Sequence, residues 1–186
     1  MKSILLASLI FMLATEGGNA QSNSFVSIVP EPTYYAWWLR AEFHPFEVEV
    51  RGIPAGKIRA TWCKATEFRK DLFPPDAAAD IDQSGGLLFA IDGFFDGSRT
   101  MHTALIGAYE TCGGERGSFL LILARPRGRA PTIRFVHEMP EEPFGMLAAL
   151  PDATIEVFHC MSCDHVTSFK WDRSKRRFMR LPPPDY

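Results

Sequence analysis

The chain has 186 residues, 46% of them hydrophobic and 23% charged, a balance that excludes wholesale disorder and suits one domain with a sizeable core. The 20 Lys and Arg stand against 22 Asp and Glu, and the net charge of -2 excludes a polyanion binder of the strongly basic kind. Its 14 glycines and 14 prolines predict many turns and short elements.

Residues 1–20 read as a signal peptide. Lys2 supplies a positive start, Ile4 to Ala14 an apolar stretch, and Gly18-Asn19-Ala20 a small-x-small cleavage site near Ala20. That apolar stretch is too short for a comfortable membrane span, and no later one is longer. No cysteine follows the cleavage site, which argues against a lipid anchor. The expectation is a periplasmic or secreted protein with no transmembrane segment in the mature chain. Residues 21–33 read as an extended lead-in, and 34–186 as a single α+β domain.

From Tyr35 to Phe43 alternate residues are apolar, a strand pattern, although Tyr34, Trp38 and Ala41 also share a helical face. His44-Pro45 then predicts a turn into a second alternating run, Phe46, Val48 and Val50. Ile58, Trp62, Ala65, Phe68 and Leu72 step by helical spacing and end at Pro74-Pro75, predicting one main amphipathic helix near 57–73. Residues 76–86 read as a polar connection. Strands follow over Leu87–Phe95, Thr103–Thr111, Ser118–Ala124, Thr132–Glu138, Thr154–Cys160, Cys163–Trp171 and Arg177–Leu181. Their short Gly- and Pro-rich links favour antiparallel neighbours. The predicted fold is mainly an antiparallel β-meander of about 7–9 short strands with that one helix.

Export makes the four cysteines a disulfide set. Cys160 and Cys163 form a C-x-x-C, so the economical scheme pairs them and leaves Cys63 for Cys112. The second bridge closes a loop of about 50 residues, worth roughly 4 kcal/mol in the chain-entropy picture.

Three clusters could carry chemistry. His159, Cys160, Cys163 and His165 are candidate metal or redox residues, since thiolates at this spacing with an imidazole suit zinc. A redox pair belongs at a helix N-terminus, whereas the flanks here read as strands, and a disulfide across a hairpin end is the simpler reading. A two-residue loop at Met161-Ser162 would place Cys160 opposite Cys163 and His159 opposite Asp164, which favours the charged imidazole. The run Asp92-Gly93-Phe94-Phe95-Asp96-Gly97-Ser98-Arg99-Thr100, followed by Thr103 to Gly107, resembles the FG-GAP repeats of integrin-type propellers, a resemblance that implies a calcium loop between strands. Asp92, Asp96 and Thr100 are the candidate oxygen donors, but Phe94 puts a phenyl ring at a ligand position, and the stretch occurs once. Arg173, Lys175, Arg176, Arg177 and Arg180 form a candidate anion-binding patch among Trp171 and Phe178.

Motifs for nucleophilic or metal-dependent hydrolysis and for phosphate-loop chemistry are absent from the sequence: no Gly-x-Ser-x-Gly, no His-Glu-x-x-His, no Gly-x-x-x-x-Gly-Lys. The expected function is therefore a non-enzymatic binding module for a protein or an anionic envelope component, without a cofactor and without nucleic acid. The alternatives are a thiol-disulfide or metal-dependent enzyme centred on Cys160–His165, and a calcium-stabilised adhesion-like module at Asp92–Thr100.

Overall fold

A computed structural model describes residues 24–30, 35–162 and 164–183. The expected signal peptide, Tyr34 and Cys163 lie outside the described residues. The fold is α+β and mostly antiparallel strands, as the sequence pattern predicted, although the described residues form thirteen strands rather than 7–9.

The centre is a ribbon of two long strands, β7 (Met101–Thr111) and β8 (Arg116–Arg125), paired from Met101↔Arg125 to Glu110↔Arg116. Both are nearly continuous apolar runs, the signature of strands buried on two faces. Ala104, Ile106, Ala108, Leu120 and Ile122 face the larger core, and Leu105, Tyr109, Phe119, Leu121 and Leu123 the smaller one. Strand β9 (Thr132–Met139) flanks β8. On the other side, β5 (Trp62–Glu67) and β6 (Ala90–Gly93) share the edge of β7 end to end. Gly107 permits that close approach. A Cβ there would collide with the Thr66 carbonyl oxygen and stand 2.9 Å from Glu67 Cα.

A second sheet, β10 (Met146–Ala149), β11 (Ile155–Phe158), β12 (Val166–Asp172) and β13 (Arg177–Arg180), contributes Met146, Leu147, Ile155, Val157, Phe169 and Phe178 to the larger core. Leu88 and Leu147 exchange backbone hydrogen bonds of 3.0 and 2.6 Å, joining the approach to β6 to the edge of this sheet. Rings of Phe25, Trp37, Phe43, Phe68, Phe73, Phe89 and Phe144 fill the rest of that core in mutual edge and stacked contacts.

Several expectations need correction. The helix over 57–73 does not form. Residues Ala55–Ile58 make one short turn of helix, α1, and Trp62–Glu67 is strand β5. The helical stripe is split between the two faces of the sheet: Ile58, Trp62 and Ala65 enter the smaller core, Phe68 the larger. The edge of β7 needs a backbone partner, and that demand overrides local periodicity. Among the described residues the longest helix is instead α2 (Pro75–Asp82), almost all of it within the stretch read as a polar connection. Pro75 sits at its start, where a missing N–H costs nothing, and Ala77 and Ile81 are its buried face.

The strand expected over 35–43 and its turn at His44-Pro45 are also revised. Trp37–Leu39 is a 3-10 turn, and β2 (Ala41–Phe43) pairs back onto β1 (Val26–Ile28). Phe25 and Val26, placed in the lead-in by the sequence, are core residues. The next hairpin joins β3 (Glu49–Val50) to β4 (Ile53–Pro54) through Arg51-Gly52, with φ of 52° and 78°. Strand β10 had no counterpart in the sequence reading.

Candidate functional site

Cys63 and Cys112 form the expected disulfide, with a Cα separation of 4.9 Å. They bridge two strand ends rather than a helix and a strand. A bulge between Trp62 and Lys64 leaves Cys63 outside the regular ladder, where it reaches Cys112 beyond the end of β7. Cys160 is buried and disulfide-bonded, so it offers no free thiolate. Its expected pairing rests on Cys163, outside the described residues.

The hairpin register around these cysteines is shifted by one residue. Phe158 faces Val166 and Val157 faces Thr167, so residues 159–165 form a longer connection and His159 bonds His165 through the backbone at 3.0 Å. His159 therefore meets His165, ring centroids 4.7 Å apart, and not Asp164. Its Nε2 is 3.0 Å from Thr167 Oγ1 and its Nδ1 is 3.8 Å from Glu142 Oε2. Glu142 Oε1 also stands 3.4 Å from His165 Nε2. The expected preference for a charged His159 is reversed: burial, then the neighbouring His165, push its pKa down to about 4. Among the described residues no three His, Cys, Asp or Glu converge as metal ligands.

In the Asp92–Thr100 segment the two carboxylates serve different partners. Asp92 Oδ1 accepts from Thr103 Oγ1 at 2.5 Å across the β6–β7 ladder, and its Oδ2 is 3.4 Å from Arg125 Nη1. Asp96 Oδ1 accepts from the Ser98 N–H, while Oδ2 lies 3.4 Å from the Nε2 of buried His102 and 3.3 Å from Arg134 Nη2. Thr100 donates its backbone N–H to Ser98 Oγ. Phe94 is about half exposed at the loop.

The basic patch at 173–180 is also dispersed. Arg173 lies across the neighbouring loop, its Nη2 3.2 Å from where a Cβ of Gly97 would be. Lys175 pairs with Asp172, and Arg177 Nε donates to Met179 Sδ. Arg180 bears on His137 and His159, where its charge helps to lower both pKa values. Trp171 packs on Phe178 and under Arg134.

A denser concentration of cations forms where two turns meet. A cleft of about 460 Å³ is lined by Arg51 from the β3–β4 turn, Thr103, Leu123 and Arg125 from the ribbon, and Arg127 and Arg129 from the β8–β9 connection. Arg129 donates its N–H to the Pro126 carbonyl, closing a turn in which Gly128, at φ 68°, takes the left-handed position. Arg51 is clamped by Glu67, with Nε 2.6 Å from Oε2 and Nη2 2.5 Å from Oε1. That hydrogen-bonded pair raises the Arg51 pKa further, so the guanidinium is permanently charged. Arg125 Nη1 is 3.3 Å from Thr103 Oγ1 and 3.4 Å from Asp92 Oδ2. Arg127 and Arg129 make no ion pair among the described residues. The alternation Arg125, Arg127, Arg129 around Pro126 and Gly128 was visible in the sequence as a charged link. Its fourth member, Arg51, arrives from a distant hairpin, and no local pattern announces that meeting.

Neither family models nor curated proteins nor solved structures match the chain. Among the described residues no helix is long and apolar enough to cross a membrane.

Proposed function

We propose that the chain is an exported binding module that holds an anionic envelope component in the arginine-lined cleft. The observation that carries this reading is the unbalanced charge there: four guanidiniums line the cleft, and two of them, Arg127 and Arg129, have no carboxylate partner among the described residues. Like charges held close together repel, so the arrangement gains most when an anion enters between them. Export is supported by the leader-like residues 1–20 and by the Cys63–Cys112 bridge, a bond that persists in oxidising compartments.

The test is direct. Flotation of residues 21–186 with phosphatidylglycerol vesicles and with phosphatidylcholine vesicles should recover protein only on the anionic ones. That recovery should fall as sodium chloride rises from 50 to about 500 mM, because exposed charges are screened. Equal recovery on both vesicles, or recovery insensitive to salt, sinks the reading.

A further inference from the structure

We propose that the ligand group of this cleft is a phosphomonoester, a terminal phosphate bearing two negative charges. The inference rests on the reading of the cleft as an anion site and adds the chemical class. Two independent observations point to it.

The first is charge balance. Of the four guanidiniums, Arg51 is neutralised by Glu67 and Arg125 faces Asp92. Arg127 and Arg129 are left over, so the lining carries an excess of two positive charges. A carboxylate or a phosphodiester would cancel only one of them, whereas a phosphomonoester carries close to two near pH 7. Its three peripheral oxygens also offer enough acceptors for several guanidinium forks, each of which presents paired N–H donors. Arg51 spends Nε and Nη2 on Glu67 and makes no bond through Nη1 among the described residues, so one edge of its fork remains for a ligand.

The second is the backbone of Arg51. It sits at the first position of a two-residue hairpin loop with φ 52°, where Asn, Asp or Gly are usual. The cost of a left-handed conformation in a non-glycine residue persists where the surroundings hold it, and such outliers gather at ligand clamps. Glu67, on the edge strand β5, is that hold. The clamp fixes one cation of the cleft in place before any ligand arrives.

Methyl phosphate is the probe for the class and dimethyl phosphate its singly charged control, with binding followed by calorimetry at pH 7.4 on residues 21–186. Methyl phosphate should bind at least about tenfold more tightly, reflecting the second charge. Arg127→Ser with Arg129→Ser should remove that difference while the melting curve stays in place. Arg173→Ser with Arg176→Ser, on the β12–β13 turn, should leave it intact. Vesicles containing phosphatidic acid, compared with phosphatidylglycerol vesicles, separate the sources: preference for phosphatidic acid without methyl phosphate binding assigns the phosphate to a lipid headgroup and keeps the class. Equal binding of methyl and dimethyl phosphate overturns the class and leaves the anion site standing. No binding to any of these anions overturns both, and loss through the 173/176 variant alone moves the site elsewhere and overturns the proposal.

Discussion

At one end of the β7–β8 ribbon, Glu110 accepts from Lys64 at 2.9 Å and from Arg116 at 2.7 Å, while Cys63–Cys112 ties β5 to the end of β7. At the other end, Arg125 shares a weak contact with Asp92, and Arg127 and Arg129 face solvent across the cleft. The first end is closed by a covalent bond and by two cations that share one carboxylate. The second is left with cations to spare, beside a buried His102 whose ring nitrogens make no hydrogen bond among the described residues. Local charge density does not distinguish them, since both are rich in Arg and Glu or Asp. What distinguishes them is whether the facing strand brings the opposite charge within reach.

The largest expected effect lies at the closed end. Cys63→Ser with Cys112→Ser should cost about 4 kcal/mol, because the bridge closes a sequence separation of 49 residues. Urea denaturation at pH 7 measures it, and a reducing agent should produce at least that loss in the unmodified chain, since Cys63 and Cys112 are exposed and Cys160 is disulfide-bonded as well. Anion binding at the open end should survive under native conditions. A loss below 1 kcal/mol would mean that the ladder, and not the bridge, holds the closed end.

The open end should be the acid-sensitive one. Burial lowers the pKa of His102, and this outweighs the raising effect of Asp96. The unfolded chain then takes up a proton below about pH 6.5 that folded His102 refuses, so stability present at pH 7 is lost as pH falls through that range. His137 and His159 act with the same sign, burial being the first cause for each. The share of His102 is isolated by His102→Phe. The ring lies between Phe95 and Phe178, at centroid distances of 6.5 and 6.4 Å, and gives up no hydrogen bond. That variant should cost less than about 1.5 kcal/mol at pH 7 and flatten the slope of unfolding free energy between pH 7 and 5. An unchanged slope would remove His102 from the acid response.

These two ends also show what the sequence could and could not convey. Strands β7, β8 and β9 were legible because each is a long apolar or alternating run bounded by glycine, proline and charge. The Cys63–Cys112 pairing was legible by elimination once Cys160 and Cys163 had each other nearby. The stretch from Ile58 to Leu72 misled because a bulge after Trp62 gives a strand the spacing of a helix. Strand β10 hid behind the Pro140 to Pro143 link. The one-residue register shift at His159 came from assuming the shortest loop, whereas Phe158 pairs with Val166 and the His159 N–H with the His165 carbonyl. The cleft was beyond reach because Arg51 and Arg127 are brought together only by the packing of β3–β4 against the ribbon.

A smaller effect is expected from Glu110→Gln. It leaves Lys64 and Arg116 facing a neutral amide, and as both cations are nearly half exposed the loss should be about 1 kcal/mol at pH 7. Hydrogen bonds from Lys64, then Arg116, hold the Glu110 carboxyl below its ordinary pKa. Its contribution is therefore complete above the unfolded value near 4.5 and disappears as pH falls through the lower folded value. Wild type and variant should converge in stability once the pH lies below that folded value. A difference that persists there would mean that Glu110 acts by packing and not by charge.

The smallest expected effect is that of calcium at the open end, and it is none. Asp92 and Asp96 are the carboxylates that a calcium loop would need, yet Asp92 takes the Thr103 hydroxyl and faces Arg125, while Asp96 takes the Ser98 N–H and faces His102 and Arg134. Burial tends to raise the Asp96 pKa, but the bonds from Ser98 and the nearby cations bring it below the ordinary value. Its charge is thus already satisfied by this chain. A calcium ion would have to displace a guanidinium from each carboxylate and would find a phenyl ring, that of Phe94, where a further oxygen belongs. A ligand that binds only the folded state must raise its melting temperature, so the melting curve with and without 5 mM calcium is the measurement. The curves should superimpose. A rise of several degrees, abolished by Asp96→Ala, would show that the carboxylates of this end can be drawn away from their cations, and the contrast between the two ends would then rest on the disulfide alone.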